Sequence, residues 1–403
     1  MTALKADKLT MAGEAKTTVP ALSSSHRRTR LDGLTTCRFF AAALVVFHHN
    51  KDTPAFQSAP TWFLRFIHNG YAAVSFFFLL SGFVLVYAYY RPDQSNALKG
   101  TRREFWAARI ARIYPIYVIA LVLAVPLFLA ERFKPDSPFA LSFLAPLVTA
   151  PALLQAWIPP AALSWNGPGW SLSVEAFFYL TFPLLADRMV KLKPRTALAF
   201  SLLFLVVFQI TLYAVFPLPE SGAPDLPNTR NMHFFTAYFP LNHLPTFILG
   251  MALGTCFLSL TSLKSPWIAN LVFVVTALTV CTIFSLHGLL SPFFLSSVCL
   301  VPLFGILVFS LACSGGWLEK AVSQPALVRL GDASYTMYIL HIPLAWWMNH
   351  ARIKTPALAQ MNDLAFFGCY FAVLTACCLF TYSFVEKPLR KLISQRIVAI
   401  SDC

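Results

Sequence analysis

In the stretch 31-LDGLTTCRFFAAALVVFHH-49, nine apolar residues run from Arg38 to His48 and His49. A cation inside a segment bound for lipid costs at least ~3 kcal/mol on insertion scales, so it is normally kept for a task. If the stretch is helical, eleven residues turn through about 1100°, which brings His49 to within ~20° of Arg38 and leaves His48 roughly 80° off that line. Arg38 and His49 then share a face, ~16 Å apart along the axis. They cannot touch one atom, but they can line one channel.

Working outward, composition agrees with a lipid environment. Of 403 residues, 57% are hydrophobic and 12% charged, with a mean hydropathy of +0.64. That is too little charge for a soluble domain of this size, and it implies an all-α polytopic integral membrane protein. Residues 1–33 are polar and basic (Lys5, Lys8, Lys16, Arg27, Arg28, Arg30) and lack the apolar core of a cleavable signal peptide. They are expected to form a disordered cytoplasmic tail. The nine cysteines fall mostly within apolar runs and show no metal-ligand spacing, so they read as small core residues and no metal is expected. The net charge of +14 is divided among short loops, the pattern of topology signals, and argues against nucleic acid as a partner.

Apolar stretches long enough to span occur near 34–52, 70–90, 113–130, 168–186, 196–216, 239–260, 268–285, 291–313, 334–350 and 364–385. Basic segments lie at 1–30, 91–112, 187–195 and 387–396. All four can be cytoplasmic only if an even number of spans separates each from the next. Counting 139–157 as a span breaks that parity, and its prolines Pro138, Pro146 and Pro151 suit a re-entrant or interfacial segment. The expected architecture is therefore about ten transmembrane helices plus that segment, with no soluble domain. It comprises the tail 1–33, a transmembrane domain 34–386 and a basic cytoplasmic tail 387–403. Both termini face the cytoplasm in this reading, and the location is the inner (plasma) membrane. No internal repeat or inverted symmetry is visible.

This topology assigns depth. Arg38 falls near the cytoplasmic face and His49 near the outer one, while Trp170 and Glu175 fall in the outer half of the fourth span. Arg109 and Arg112 lie at the inner start of the third span, and Glu386 at the inner end of the last. The ionisable residues are thus expected on two floors, an arginine-rich inner one and an outer one that pairs His49 with Glu175.

Four more segments stand out: AVSFFFLLSGF at 73–83, RIARIYP at 109–115, NGPGWSLSVEAFFYLTFP at 166–183 and LGDASYTMYILHIP at 330–343. With the stretch at 31–49 and FVEKPLRK at 384–391, they resemble the acyltransferase 3 family of membrane acyltransferases. The resemblance covers roughly residues 31–391, with six motifs in order. It implies acylation of surface glycans, lipids or small molecules, often with acetyl groups from acetyl-CoA. It places the family's first-span arginine and histidine on Arg38 and His49, its Arg-x-x-Arg pair on Arg109 and Arg112, and its Trp-Ser-Leu-Ser-x-Glu segment on Trp170 to Glu175. The closing motif falls on Phe384, Glu386, Pro388 and Arg390. Two departures matter. Ser75 stands where many members carry Asp, and Thr246 stands where Glu is expected. Many relatives also carry a soluble hydrolase-like domain after the last span, and only 17 residues follow Glu386 here.

The chemistry can be argued from the residues as well. Acyl transfer from a thioester to a hydroxyl needs a base near the alcohol, donors for the developing oxyanion, and cations for the donor's phosphates. His49 is a candidate base, or else a polar residue closing a helix end at the interface. Glu175 could orient or charge-balance His49, or pair with an arginine. Arg109 and Arg112 share a helical face and suit the phosphates of an acyl-CoA co-substrate, most simply acetyl-CoA, although arginines at a span start are also inside signals. Arg38 is harder to dismiss, because Arg27, Arg28 and Arg30 already supply that signal. Its distance from His49 is close to the reach of an extended pantetheine arm. Trp170, Ser171, Tyr179, Tyr338, His341 and Glu386 belong to an acceptor path or to the structure; Tyr338 and His341 could equally be an interhelical hydrogen-bonded pair. No bound cofactor is implied. The expected partners are the bilayer, acyl-CoA and a saccharide or glycolipid acceptor. A transporter of an acylated or anionic solute, or an acyl shuttle serving a partner enzyme, would use the same charged channel.

Overall fold

Proline and a capping box set the helix starts. Pro194, Pro266, Pro325 and Pro356 open their helices, where a missing N–H costs nothing. Thr101 and Glu104 form a reciprocal cap, each side chain accepting from the other's backbone N–H. A computed structural model describes residues 30–91, 98–132, 139–216, 227–260, 265–290 and 296–393. The expected tail at 1–33 lies almost wholly outside them, as do residues 394–403 of the expected C-terminal tail.

The described chain is helical throughout. In order come α1 (Asp32–Asn50), α2 (Thr61–His68), α3 (Ala72–Tyr89), α4 (Arg102–Leu123), α5 (Val125–Arg132) and α6 (Phe139–Thr149). Then follow α7 (Trp170–Met189), α8 (Pro194–Val215), α9 (Pro227–Tyr238), α10 (Leu244–Leu258), α11 (Pro266–Ser285) and α12 (Ser297–Ala312). The last are α13 (Trp317–Val322), α14 (Pro325–Asp332), α15 (Ser334–Lys354), α16 (Pro356–Ala359) and α17 (Asp363–Thr381). The expected spans overlap these helices, except that 113–130 is divided between the end of α4, which starts eleven residues earlier at Arg102, and α5. Six segments are long and apolar enough to cross a membrane: Thr61–Tyr89, Arg102–Leu123, Pro194–Val215, Pro240–Leu258, Pro266–Ser285 and Asp363–Ile393. Helices α1, α7 and α15 have 19, 20 and 21 residues but carry the ionisable residues that dilute their hydropathy. The last helix runs through a π-turn at Tyr382–Glu386 and on to Ile393, so Lys387, Arg390 and Lys391 extend it rather than begin a tail.

The segment 139–157 does not form a spanning helix. Helix α6 has 11 residues, about 16 Å of rise against a hydrocarbon core of ~30 Å. Three 3₁₀ turns follow, at Gln155–Trp157, Pro159–Ala161 and Gly167–Gly169. Irregular backbone at membrane depth must be buried in protein with its polar groups satisfied. Here Tyr117 Oη donates to Ala150 O (2.8 Å), Gln155 Nε2 to Gly169 O (2.6 Å), Trp165 Nε1 to Leu121 O (2.9 Å) and Asn166 Nδ2 to Ile339 O (3.0 Å).

Between lipid-embedded helices there is little hydrophobic drive, so close backbone approach supplies the packing. Helix α10 lays Gly250 and Gly254, four residues apart, against α3. A Cβ on Gly250 would come within 1.9 Å of Leu79 O, and one on Gly82 within 2.2 Å of Phe247 O. Beside this seam Phe178 of α7 stacks on Phe247 at 4.3 Å and 12°. Two of the helices that line the site, α3 and α7, are fixed there.

Candidate active site

Three guanidinium groups meet in a narrow pocket of about 100 Å³ between α1, α3, α4, α7 and α15. Arg38 comes from α1, and Arg109 and Arg112 from α4; Glu175, Tyr179, Ser334, Tyr335 and Tyr338 complete the wall. The capping box explains why the two α4 arginines lie so deep. The helix begins at Arg102, before the apolar run, so Arg109 and Arg112 sit about 10 and 15 Å along it instead of at its start. Arg109 Nη2 donates to Tyr89 Oη at 2.7 Å, and its guanidinium lies 5.1 Å from the Tyr89 ring centre and 5.9 Å from that of Tyr179. Its Nε is buried without a partner. Among the described residues neither Arg38 nor Arg112 makes a hydrogen bond, and none of the three arginines has a carboxylate within 4.0 Å. Glu175 instead accepts from Tyr179 Oη. Three guanidinium groups against the Glu175 carboxylate leave the pocket an excess of positive charge.

Glu175 does not pair with His49, contrary to the two-floor expectation. The reason is the depth at which α7 starts. Its leading turn is pinned to the interior of α15, with Tyr338 Oη donating to Pro168 O (3.4 Å) and Asn166 reaching Ile339 O. Five residues further on, Glu175 has already descended to the level of the arginines.

His49 meets another histidine. The His49 and His341 ring centres are 4.9 Å apart, with His49 Nδ1 3.3 Å from His341 Nε2. Carbonyl oxygens only accept hydrogen bonds, which assigns both tautomers. His49 Nδ1 lies 3.0 Å from Val45 O, and His341 Nδ1 2.6 Å from Tyr338 O, so each ring carries its proton on Nδ1. His341 Nε2 is then a bare acceptor for His49 Nδ1–H, and His49 Nε2 is left with a free lone pair. His341 is 0% exposed, whereas His49 is exposed, so the His49 ring can be reached from outside the packed core. The nitrogen that a general base needs is the one left without a partner.

Other residues fall into place around this dyad. Tyr338 lines the arginine pocket and has its ring 6.1 Å from His341, so it links the pocket to the dyad. Ser171 lines the pocket and donates to Pro168 O at 3.0 Å. Trp170 packs on Phe78 and His243 at the rim of a second, wider cavity. Glu386, 5% exposed, accepts from Thr336 Oγ1 at 3.1 Å and stands behind the pocket wall. His48, which the helical wheel turned away from the Arg38 face, gives Nδ1 to Ile67 O at 3.2 Å and forms part of the second cavity's wall. The sequence also gave no sign of His243, Gln209 or Asn242, which line that cavity from α8 and the turn before α10. Lone polar residues in apolar runs were the available signal.

An all-helical membrane protein with half-buried arginines in its interior and a histidine dyad is the class of molecule defined so far. Comparison with known proteins makes it narrower. The acyltransferase-domain profile of the acyltransferase 3 family matches residues 31–382, and the chain belongs to that family and is an acyltransferase. Acyltransferase MdmB of Streptomyces mycarofaciens is 29% identical over 92% of this chain and 94% of its own length. O-acetyltransferase OatA of Staphylococcus aureus is 23% identical over 90% of this chain, which spans 57% of OatA. No solved structure matches.

Proposed function

We propose that this enzyme is an O-acyltransferase that moves an acyl group, acetyl in the simplest case, from cytosolic acyl-CoA to a hydroxyl of a surface saccharide or lipid-linked glycan. The carrying observation is the set of three arginines around one pocket, none with a carboxylate within 4.0 Å among the described residues, and the contact of that pocket's Tyr338 with His341 of the dyad. In this reading the pantetheine arm enters the pocket and the adenine end stays outside. The basic residues at 187–195 and 387–391 are available to it there. In this reading both chain ends and the arginine end of the bundle face the cytoplasm, in the inner membrane, with ten helices crossing.

The reaction needs only this chain's groups. His49 Nε2 takes the proton of the acceptor hydroxyl while the oxygen attacks the thioester carbonyl. His49 Nδ1–H is held by Val45 O and His341 Nε2, so the imidazolium that forms keeps its orientation. The C–S bond breaks, and the CoA thiolate takes the proton from the His49 imidazolium as it leaves, so the base is restored with no net change in protons. The pocket arginines hold the anionic donor.

Protein reconstituted in vesicles and supplied with acetyl-CoA should release CoA only when an acceptor is present. Mass analysis of surface polysaccharide, lipid and metabolite fractions, with and without the gene, should reveal one acyl group lost. Acceptor-independent solute movement without any CoA release would refute the proposal.

A further inference from the structure

A wide cavity opens at the end of the bundle where α1 finishes, about 1030 Å³ in volume against about 100 Å³ for the arginine pocket. Val74 and Phe78 line both, so the two spaces adjoin through α3. We propose that this cavity is a separate binding site for an uncharged, hydroxyl-rich ring, such as a neutral sugar, and that it rejects carboxylated or phosphorylated rings. The inference rests on the acyl-transfer reading, whose acceptor it would hold.

Charge gives the first argument. The described lining contains no Asp, Glu, Lys or Arg, in contrast to the pocket beneath it. Its only basic side chains are the histidines His48, His233, His243 and His287, so an anionic ring would be desolvated here with no lysine or arginine to meet it.

Hydrogen bonding gives the second. Gln209 Nε2 is committed to Asn242 O (3.4 Å), and Asn242 Nδ2 to Phe235 O (2.7 Å) and Thr236 O (3.2 Å). Because those partners are carbonyls, the amide orientations are fixed. Neither amide oxygen receives a hydrogen bond from the described chain, although the two residues are only 5% and 4% exposed. His243 Nε2 is likewise committed to Ala237 O (3.0 Å) and His48 Nδ1 to Ile67 O (3.2 Å), which leaves a lone pair on each ring. These four acceptors, beside the hydroxyls of Tyr71, Tyr213, Tyr238, Ser75 and Thr246, call for a ligand whose groups both donate and accept. Hydroxyls do so, whereas carboxylates and phosphates bring only more acceptors.

Shape gives the third. Trp170 stands between Tyr238 (4.9 Å) and His243 (5.3 Å), with Phe78 5.9 Å behind it, an aromatic wall for the C–H face of a ring. Ser75 and Thr246, the two positions at which the sequence departs from the family pattern, both line this cavity. Each offers a hydroxyl in place of a carboxylate.

The test uses the full chain in nanodiscs without any acyl-CoA, so that it does not depend on the chemistry. Octyl β-glucoside and octyl β-glucuronide, which share a tail and differ by one carboxylate, are titrated below their micellar concentrations by calorimetry. The glucoside should bind at least tenfold more tightly, and Trp170→Ala and Gln209→Leu should each weaken it by about tenfold. Equal or tighter binding of the glucuronide, no glucoside binding at millimolar concentration, or unchanged glucoside binding in both variants would overturn the proposal. If the glucoside binds as expected while no CoA release is ever seen, the cavity assignment stands and the acyl-transfer reading fails.

Discussion

The two cavities of this enzyme are built from opposite chemistry although they share a wall. The arginine pocket is tight, cationic and bounded by the early turns of α1, α4 and α15, whereas the wide cavity is uncharged and lined by aromatic rings and hydrogen-bond acceptors. Between them stands the His49–His341 dyad, touched on one side by Tyr338 of the pocket and on the other by His48 of the cavity. The difference teaches a division of labour. In the proposed reading, a polyanionic donor is drawn to one end and excluded from the other, so the two substrates reach the same base from different spaces.

The sharpest way to break this comparison is to remove the group at the junction. His49→Ala should lower acyl transfer by roughly 10²–10⁴, the range of a lost general base, with the protein still inserted and abundant. His48→Ala should do much less, because His48 only lines the cavity. Parallel losses in both variants, measured as transfer rate per membrane-inserted protein, would show that the dyad is not the junction.

Next in size are the arginines. Losing a charge-assisted contact is worth about 1.5–3 kcal/mol, or about one to two decades in binding. Arg109→Ala with Arg112→Ala should therefore weaken acyl-CoA use by at least that much while acceptor affinity holds. Lys at either position should restore only part, since it lacks the planar fork. A double variant with wild-type dependence on acyl-CoA would leave the pocket without its donor role.

A smaller effect is expected at His341. His341→Leu removes the acceptor for His49 Nδ1–H and should cost about tenfold in kcat with little change in KM, in line with a lost hydrogen bond to a charged group. His341→Gln, whose amide oxygen can accept, should recover much of it. Equal behaviour of the two would mean that His341 only fills space.

The last prediction changes no rate. In a cysteine-free background, single cysteines at 187–195 should label only after permeabilisation, and those around 53–60 should label from outside. Labelling of 187–195 from outside would invert which cavity faces the cytoplasm.

Much of this was legible in one dimension. Apolar run length located every long helix, and the lone Arg38 and His49 marked α1 as the functional helix, because a charge among apolar residues is costly wherever the chain goes. The 101–104 capping box was also there to be read, and would have put Arg109 and Arg112 deep in α4 from the outset.

Depth and partnership were not legible. Hydropathy reports how long an apolar run is, not the level at which the chain turns. The level of α7 follows from a buried turn pinned by Tyr338 and by Asn166, and that moved Glu175 from the histidine to the arginines. His341 reaches His49 across 292 residues of sequence, and the wide cavity draws its wall from α3, α8, α9 and the ends of α11 and α12. The sequence by itself determined which segments form long apolar helices and which charged residues lie within them, because those are local transfer costs. Only the tertiary structure decided which of these residues meet, because that depends on helix starts, glycine-thin seams and buried turns that fix each helix against its neighbours.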